Sequence, residues 1–188
     1  YASLSDEIDA AYRRVMTSGW YLLGPELEAF EAAYAAYSGA ATCAGVGSGL
    51  DALVLSLRVL DVGPGDEVIV PSNTYIATWL AVSAVGATVV PVEPDDDTFN
   101  LTGEGVSAAI TPRTAAVVAV HLYGRPADVA GIDAVGRRHG IPVVYDGAQA
   151  HGATVDGRPV GEFGDLTAWS FYPGKNLGAF ADGGAVTG

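Results

Sequence analysis

Basic residues are scarce in this sequence. It holds 9 Lys and Arg against 22 Asp and Glu, a formal net charge of −13. The few cations are scattered and form no basic stripe, so nucleic acid is not an expected partner. Cysteine is almost missing as well. Cys43 stands alone, which excludes an internal disulfide and makes a reducing, cytoplasmic location the expectation. No apolar run approaches the roughly 18 residues of a membrane span. The longest, 115–120, has the length of a buried strand. Residues 1–9 are polar and acidic rather than basic then apolar, so they do not read as a signal peptide. No metal ligand set stands out. The first residue is Tyr rather than Met, and the last is a Gly directly after a strand-like run, so a segment of a longer polypeptide is expected.

What is present suits a packed domain. Hydrophobic residues make up 49% and charged residues only 16% of 188 positions, which argues against disorder and allows a sizeable core. Residues 1–40 read as a helical segment. Ser5 is the expected N-cap of a first helix whose Ile8, Tyr12 and Val15 share a face and which Gly19 ends. Pro25 suits the first turn of a second helix that stops at Gly39. From 41 to 188 strands and helices alternate. Strands are expected at 41–45, 67–70, 88–92, 115–120, 142–145, 167–171 and 184–186. Helices are expected near 50–60, 74–85, 102–110 and 129–139. The acidic run 93–97 reads as a solvated loop. Strands apolar throughout are buried on both faces, which implies a three-layer αβα fold around a mostly parallel sheet. Ligands of such sheets gather beyond the carboxyl ends of the strands.

Three motifs fall at those ends. Gly45-Val46-Gly47-Ser48-Gly49-Leu50-Asp51 joins a strand to a helix. Its glycines let backbone amides approach an anion at a helix N-terminus, though a plain tight turn explains them equally well. It is not the dinucleotide fingerprint, because the sixth position is Leu50. Asp146 directly follows a buried strand and is costly to bury alone. It serves either as a cap carboxylate or as the partner of a cationic ring nitrogen. In the same run His151 reads as a structural or supporting residue rather than a base. Lys175 sits between apolar, Gly-rich segments in a chain nearly devoid of lysine. A buried lysine loses its proton more readily, which suits Schiff-base chemistry.

Five runs together resemble the DegT/DnrJ/EryC1/StrS family of sugar aminotransferases, pyridoxal-phosphate enzymes of fold type I. They are Gly-Val-Gly-Ser-Gly-Leu-Asp-Ala-Leu (45–53), Gly-Pro-Gly-Asp-Glu-Val-Ile-Val-Pro-Ser-Asn-Thr-Tyr-Ile-Ala-Thr (63–78), His-Leu-Tyr-Gly (121–124), Asp-Gly-Ala-Gln-Ala-His-Gly-Ala (146–153) and Ser-Phe-Tyr-Pro-Gly-Lys-Asn-Leu-Gly (170–178). The resemblance implies pyridoxal 5'-phosphate held on Lys175 as a Schiff base. It implies that Asp146 keeps the ring nitrogen protonated, that Gln149 contacts the ring's 3-hydroxyl and that Tyr75 stacks on the ring. The amides of Gly49 and Leu50, with Ser48 and Ser170, would hold the phosphate. Asp51 is expected to face the helix start or solvent.

Some family members carry His at the lysine position and act as dehydratases, and Lys175 argues against that branch. The residues before Lys175 look like members that aminate C3 of a dTDP-linked keto-deoxysugar. Family habit adds glutamate as donor and a homodimer that shares its active sites. Family members are about twice this long, continuing into a smaller C-terminal domain. The alternative readings are a cofactor-binding homologue without turnover and a nucleotide-binding domain of another class. The latter leaves Lys175 and Asp146 without a role.

Overall fold

A computed structural model describes residues 2–188. Helices α1 (Ser5–Ser18) and α2 (Pro25–Ser38) come first. There follow β1 (Cys43–Val46), α3 (Gly49–Val59), β2 (Glu67–Pro71), α4 (Ile76–Ala84), β3 (Thr88–Val92), α5 (Gly103–Ala109) and β4 (Thr114–Val120). The chain continues with α6 (Val129–His139), β5 (Val143–Asp146), a small hairpin of β6 (Thr154–Val155) and β7 (Arg158–Pro159), β8 (Leu166–Ser170) and β9 (Gly184–Thr187). Seven strands form one sheet in the order β1-β9-β8-β5-β4-β2-β3. Every pairing is parallel except those of β9, which is antiparallel to both β1 and β8. All strands but β9 therefore end at one edge of the sheet.

The alternation of side chains sorts the core into two layers. Val68, Val70, Val118, Val144 and Ala168 pack under α3 and α4, against Leu53, Leu57 and Val82. Ile69, Val117, Val143 and Tyr145 point the other way, against Val106 of α5 and Ile132 and Val135 of α6. A third cluster joins α2 to the far end of the sheet through Tyr34, Trp169 and Phe171. The three-layer αβα fold is the one the sequence implies.

Several details differ from the sequence reading. Ser5 is the first residue of α1 and not its cap. Leu4 holds that position without a side-chain hydrogen bond, and the Ser5 hydroxyl donates to the Ala2 carbonyl at 3.4 Å instead. Helix α4 begins at Ile76 with Tyr75 at its cap position; the Asn73 amide donates to the Phe99 carbonyl at 3.0 Å, and the Thr74 hydroxyl shares a hydrogen bond with Thr78 at 2.9 Å. Helix α3 begins at Gly49 with Ser48 as its cap, accepting from the Asp51 N–H. The β6–β7 hairpin was not anticipated: at two residues per strand it is too short to show a pattern.

Candidate active site

The shared edge of the sheet carries the chemistry. Asp146 ends β5, in register with Val120 of β4 and Ala168 of β8. Ser170 ends β8 opposite Gly184, and Gly184 in turn lies opposite Val46 of β1. This neighbourhood tolerates no side chain at two glycines. A Cβ on Gly184 would sit 2.2 Å from the Ser48 carbonyl oxygen, and one on Gly49 would sit 2.6 Å from the Ser170 Cβ. The turn into α3 is thereby pressed against the end of β8. A cavity of about 490 Å³ opens over this edge, and Ser48, Gly49, Leu50, Tyr75, Asp146, Gln149, Ser170 and Lys175 all line it. Every residue that the sequence selected for the cofactor thus reaches the same cavity.

Asp146 is only 7% exposed. Its Oδ1 accepts the Ala148 N–H at 3.0 Å and its Oδ2 accepts the Thr78 hydroxyl at 3.0 Å. Burial raises its pKa, while those two hydrogen bonds and the Lys175 charge oppose the rise. Among the described residues no ion pair reaches it. A cation placed in the cavity beside Asp146 would relieve that cost. Thr78, which holds Asp146 from outside the cavity lining, is a residue that the sequence reading missed. The signal was a hydroxyl one helical turn after Thr74, in the first turn of a mostly apolar helix.

Gln149 is aimed by the backbone. Its Oε1 accepts the Tyr123 N–H at 2.7 Å. An N–H needs an oxygen opposite it, so the Gln149 amide nitrogen is left to donate elsewhere. Tyr75 lines the cavity at the start of α4 and stays 69% exposed. Gly49 and Leu50 open α3, where helix geometry gives their amides no intrahelical acceptor. The Ser170 hydroxyl accepts from the Tyr172 N–H at 3.4 Å and keeps its own proton to give. Ser48 differs. Its hydroxyl donates to Asp51 Oδ2 at 2.9 Å, so its proton is already used within the cap. Asp51 therefore faces the helix start, as expected.

Lys175 is half-buried, where the sequence suggested a buried amine. The chain leaves the sheet after Phe171, and Tyr172, Pro173 and Gly174 are exposed as it turns. The turn closes through the Lys175 N–H on the Tyr172 carbonyl at 2.8 Å. Lys175 is the only lysine in the 188 residues. The neighbouring Asn176 donates to the His151 carbonyl at 3.0 Å. His151 is buried and supports the site from behind. A carbonyl can only accept, so the His151 Nε2–H donates to the Ser170 carbonyl at 2.9 Å. Its Nδ1 then accepts the Tyr34 hydroxyl at 2.6 Å. Burial lowers its pKa, which keeps this neutral form.

These residues fit a phosphate-bearing cationic ring. Helix-start amides and a hydroxyl with its proton to give line the cavity. A buried carboxylate that no ion pair reaches among the described residues lines the same cavity.

The profile of the DegT/DnrJ/EryC1/StrS aminotransferase family matches residues 2–188. The chain belongs to this family. A Streptomyces venezuelae relative, dTDP-3-amino-3,4,6-trideoxy-alpha-D-glucose transaminase, is 60% identical over 186 residues, 99% of this chain and 49% of that protein. The crystal structure of S. venezuelae DesV, solved in complex with a ketimine intermediate, superposes with a TM-score of 0.97 at 59% identity, over all of this chain and 50% of that one. Bacillus subtilis NtdA with bound cofactor PMP gives a TM-score of 0.93 at 33% identity, over all of this chain and 42% of that one. The chain spans about half the length of the relatives it matches. Family membership accounts for the parallel sheet and for the gathering of motifs at its carboxyl edge.

Proposed function

We propose that this chain is the cofactor-binding part of a pyridoxal-phosphate-dependent nucleotide-sugar aminotransferase. The observation that carries the reading is that all eight residues to which the family resemblance gives a cofactor role line one cavity. Bound there, pyridoxal 5'-phosphate supplies a carbonyl for amine exchange and a ring that draws electrons from the bond being broken.

The residues of this chain do the rest. Lys175 Nζ would hold the cofactor covalently and, when free, would carry the proton to and from the substrate carbon. Asp146 holds a proton at the ring nitrogen, and Thr78 keeps its carboxylate aimed. Gln149 donates to the ring's 3-oxygen. Tyr75 covers a ring face. The Gly49 and Leu50 amides and the Ser170 hydroxyl bind the phosphate, helped by the α3 N-terminus. Ser48 joins them only by turning its proton away from Asp51.

The substrate is a keto sugar on a nucleotide carrier, aminated at C3 of a dTDP-keto-deoxyhexose, with glutamate as donor. The 60% identity to a transaminase named for a dTDP-3-amino sugar supports this choice. Residues 1–40 form the helical segment and 41–188 the greater part of the large domain, which a smaller C-terminal domain completes. The enzyme is a cytoplasmic homodimer with shared active sites. Exposed Trp20, Leu22, Leu23 and Phe180 supply apolar surface for a second subunit. Among the described residues no helix is long and apolar enough to cross a membrane.

The test offers the protein a panel of dTDP-keto sugars with glutamate and cofactor and identifies products by mass spectrometry. A product heavier by one amine exchange, and its loss in Lys175→Ala, supports the reading. Absence of any aminated product, with no glutamate-driven change in the cofactor spectrum, overturns it.

A further inference from the structure

The turn that follows β4 is held by side chains outside the proposed chemistry. Asn100, 2% exposed, ends the acidic loop before α5. Its Oδ1 accepts the Leu122 N–H at 3.1 Å, and its amide nitrogen donates to the carbonyls of Arg125 at 3.1 Å and Pro126 at 3.5 Å. A side-chain amide has about four hydrogen bonds to make, and three of these go to one turn. His121 adds a second staple, its Nδ1 accepting the Ala127 N–H at 3.1 Å.

The turn needs such support. Tyr123 sits in the left-handed region at φ 57°, ψ 21°, a conformation that side-chain-bearing residues resist. Its ring is 80% exposed, so burial does not hold it. Yet its N–H is the group that aims Gln149, donating to Oε1 at 2.7 Å.

We propose that Asn100 is a positioning residue, fixing the turn whose Tyr123 N–H decides which end of the Gln149 amide faces the cavity. The inference rests on the reading of Gln149 as donor to the cofactor's ring oxygen. Without Asn100 the turn relaxes, the Gln149 amide can rotate, and its oxygen comes to face the ring oxygen for part of the time.

The test uses the cofactor-loaded protein and follows the visible band of the lysine-bound cofactor against pH. Wild type, Asn100→Ser, Gln149→Ala and the double variant are compared. Asn100→Ser should move the titration midpoint in the same direction as Gln149→Ala, by up to about one pH unit, a tenfold change in proton affinity. In the Gln149→Ala background it should add nothing. An unchanged midpoint in Asn100→Ser, or an equal shift in both backgrounds, overturns the inference alone. A wild-type protein with no visible band overturns the reading of the site and the inference together.

Should Asn100→Ser fail to fold, amide hydrogen exchange in the loaded wild type decides. The Tyr123 amide should be protected in wild type and lose at least about tenfold of that protection in Gln149→Ala. The Leu122 amide, held by Asn100, should keep its protection in both. Free exchange at both amides in wild type contradicts the proposal.

Discussion

The Thr78 hydroxyl donates to Asp146 Oδ2 at 3.0 Å across 68 positions of sequence. This bond joins the first turn of α4 to the end of β5 and leaves Thr78 fully buried. It gives a buried carboxylate one of its two protein partners. Thr78→Val keeps the shape and removes the donor. It should cost about 1–2 kcal/mol of stability and weaken cofactor binding, whereas Thr78→Ser should restore most of both. Denaturant titration and cofactor titration by absorbance check the pair.

Asp146 opposes stability when no cation faces it, because burial raises its pKa. A raised carboxylate pKa means that the folded protein binds the proton more tightly. Its contribution to stability is therefore greatest at acid pH and is lost as pH rises through the folded value. Asp146→Asn removes the charge while an oxygen remains for the Ala148 N–H. The apo protein should melt at a higher temperature at neutral pH, and cofactor binding should fall by an order of magnitude or more. Equal or lower apo melting would contradict the electrostatic account.

Ser48 separates capping from phosphate binding. Its hydroxyl bonds both the Asp51 N–H at 3.1 Å and Asp51 Oδ2 at 2.9 Å. Ser48→Ala should lower stability by about 1 kcal/mol and reduce cofactor affinity less than Ser170→Ala does. A larger affinity loss at Ser48 would show that its proton does turn to the phosphate.

His121 supplies an acid limb. It is fully buried, stacked on Tyr145 with ring centroids 4.7 Å apart, and its Nε2 has no partner among the described residues. Burial lowers its pKa from 6.5 to about 4. The unfolded chain then binds the proton more readily, so stability is fully present above about pH 6.5 and declines as pH falls toward 4, by about 3 kcal/mol. The lowered pKa of His151 acts in the same direction. His121→Asn retains an acceptor for the Ala127 N–H and does not titrate. Denaturant midpoints from pH 7 to 4 should slope less steeply in that variant.

The sequence showed the parts of the site better than their orientation. Strand runs such as 115–120 are apolar on both faces, which identifies a covered parallel sheet without further information. Parallel strands bring their carboxyl ends to one edge, so Asp146, Ser170 and the turn at Gly49 had to meet. Lys175 stood out by chemical rarity. What stayed hidden depends on pairing across space. Thr78 gained its part only when the first turn of α4 met the end of β5. Asn100 binds backbone groups of a distant turn and Tyr123 uses its own N–H, and no side-chain motif displays such partners. The Ser5 cap was misread because the helix starts one residue earlier, which puts Leu4 at the cap position and Ser5 inside the first turn.

The central claim is that Lys175, alone of its kind in the chain, carries the cofactor. The decisive measurement is borohydride reduction of the protein after incubation with pyridoxal 5'-phosphate, followed by digestion and mass spectrometry. One phosphopyridoxyl group should appear on the Lys175 peptide in wild type and none in Lys175→Ala. A wild-type protein whose Lys175 peptide stays unmodified, with cofactor in excess, would contradict it.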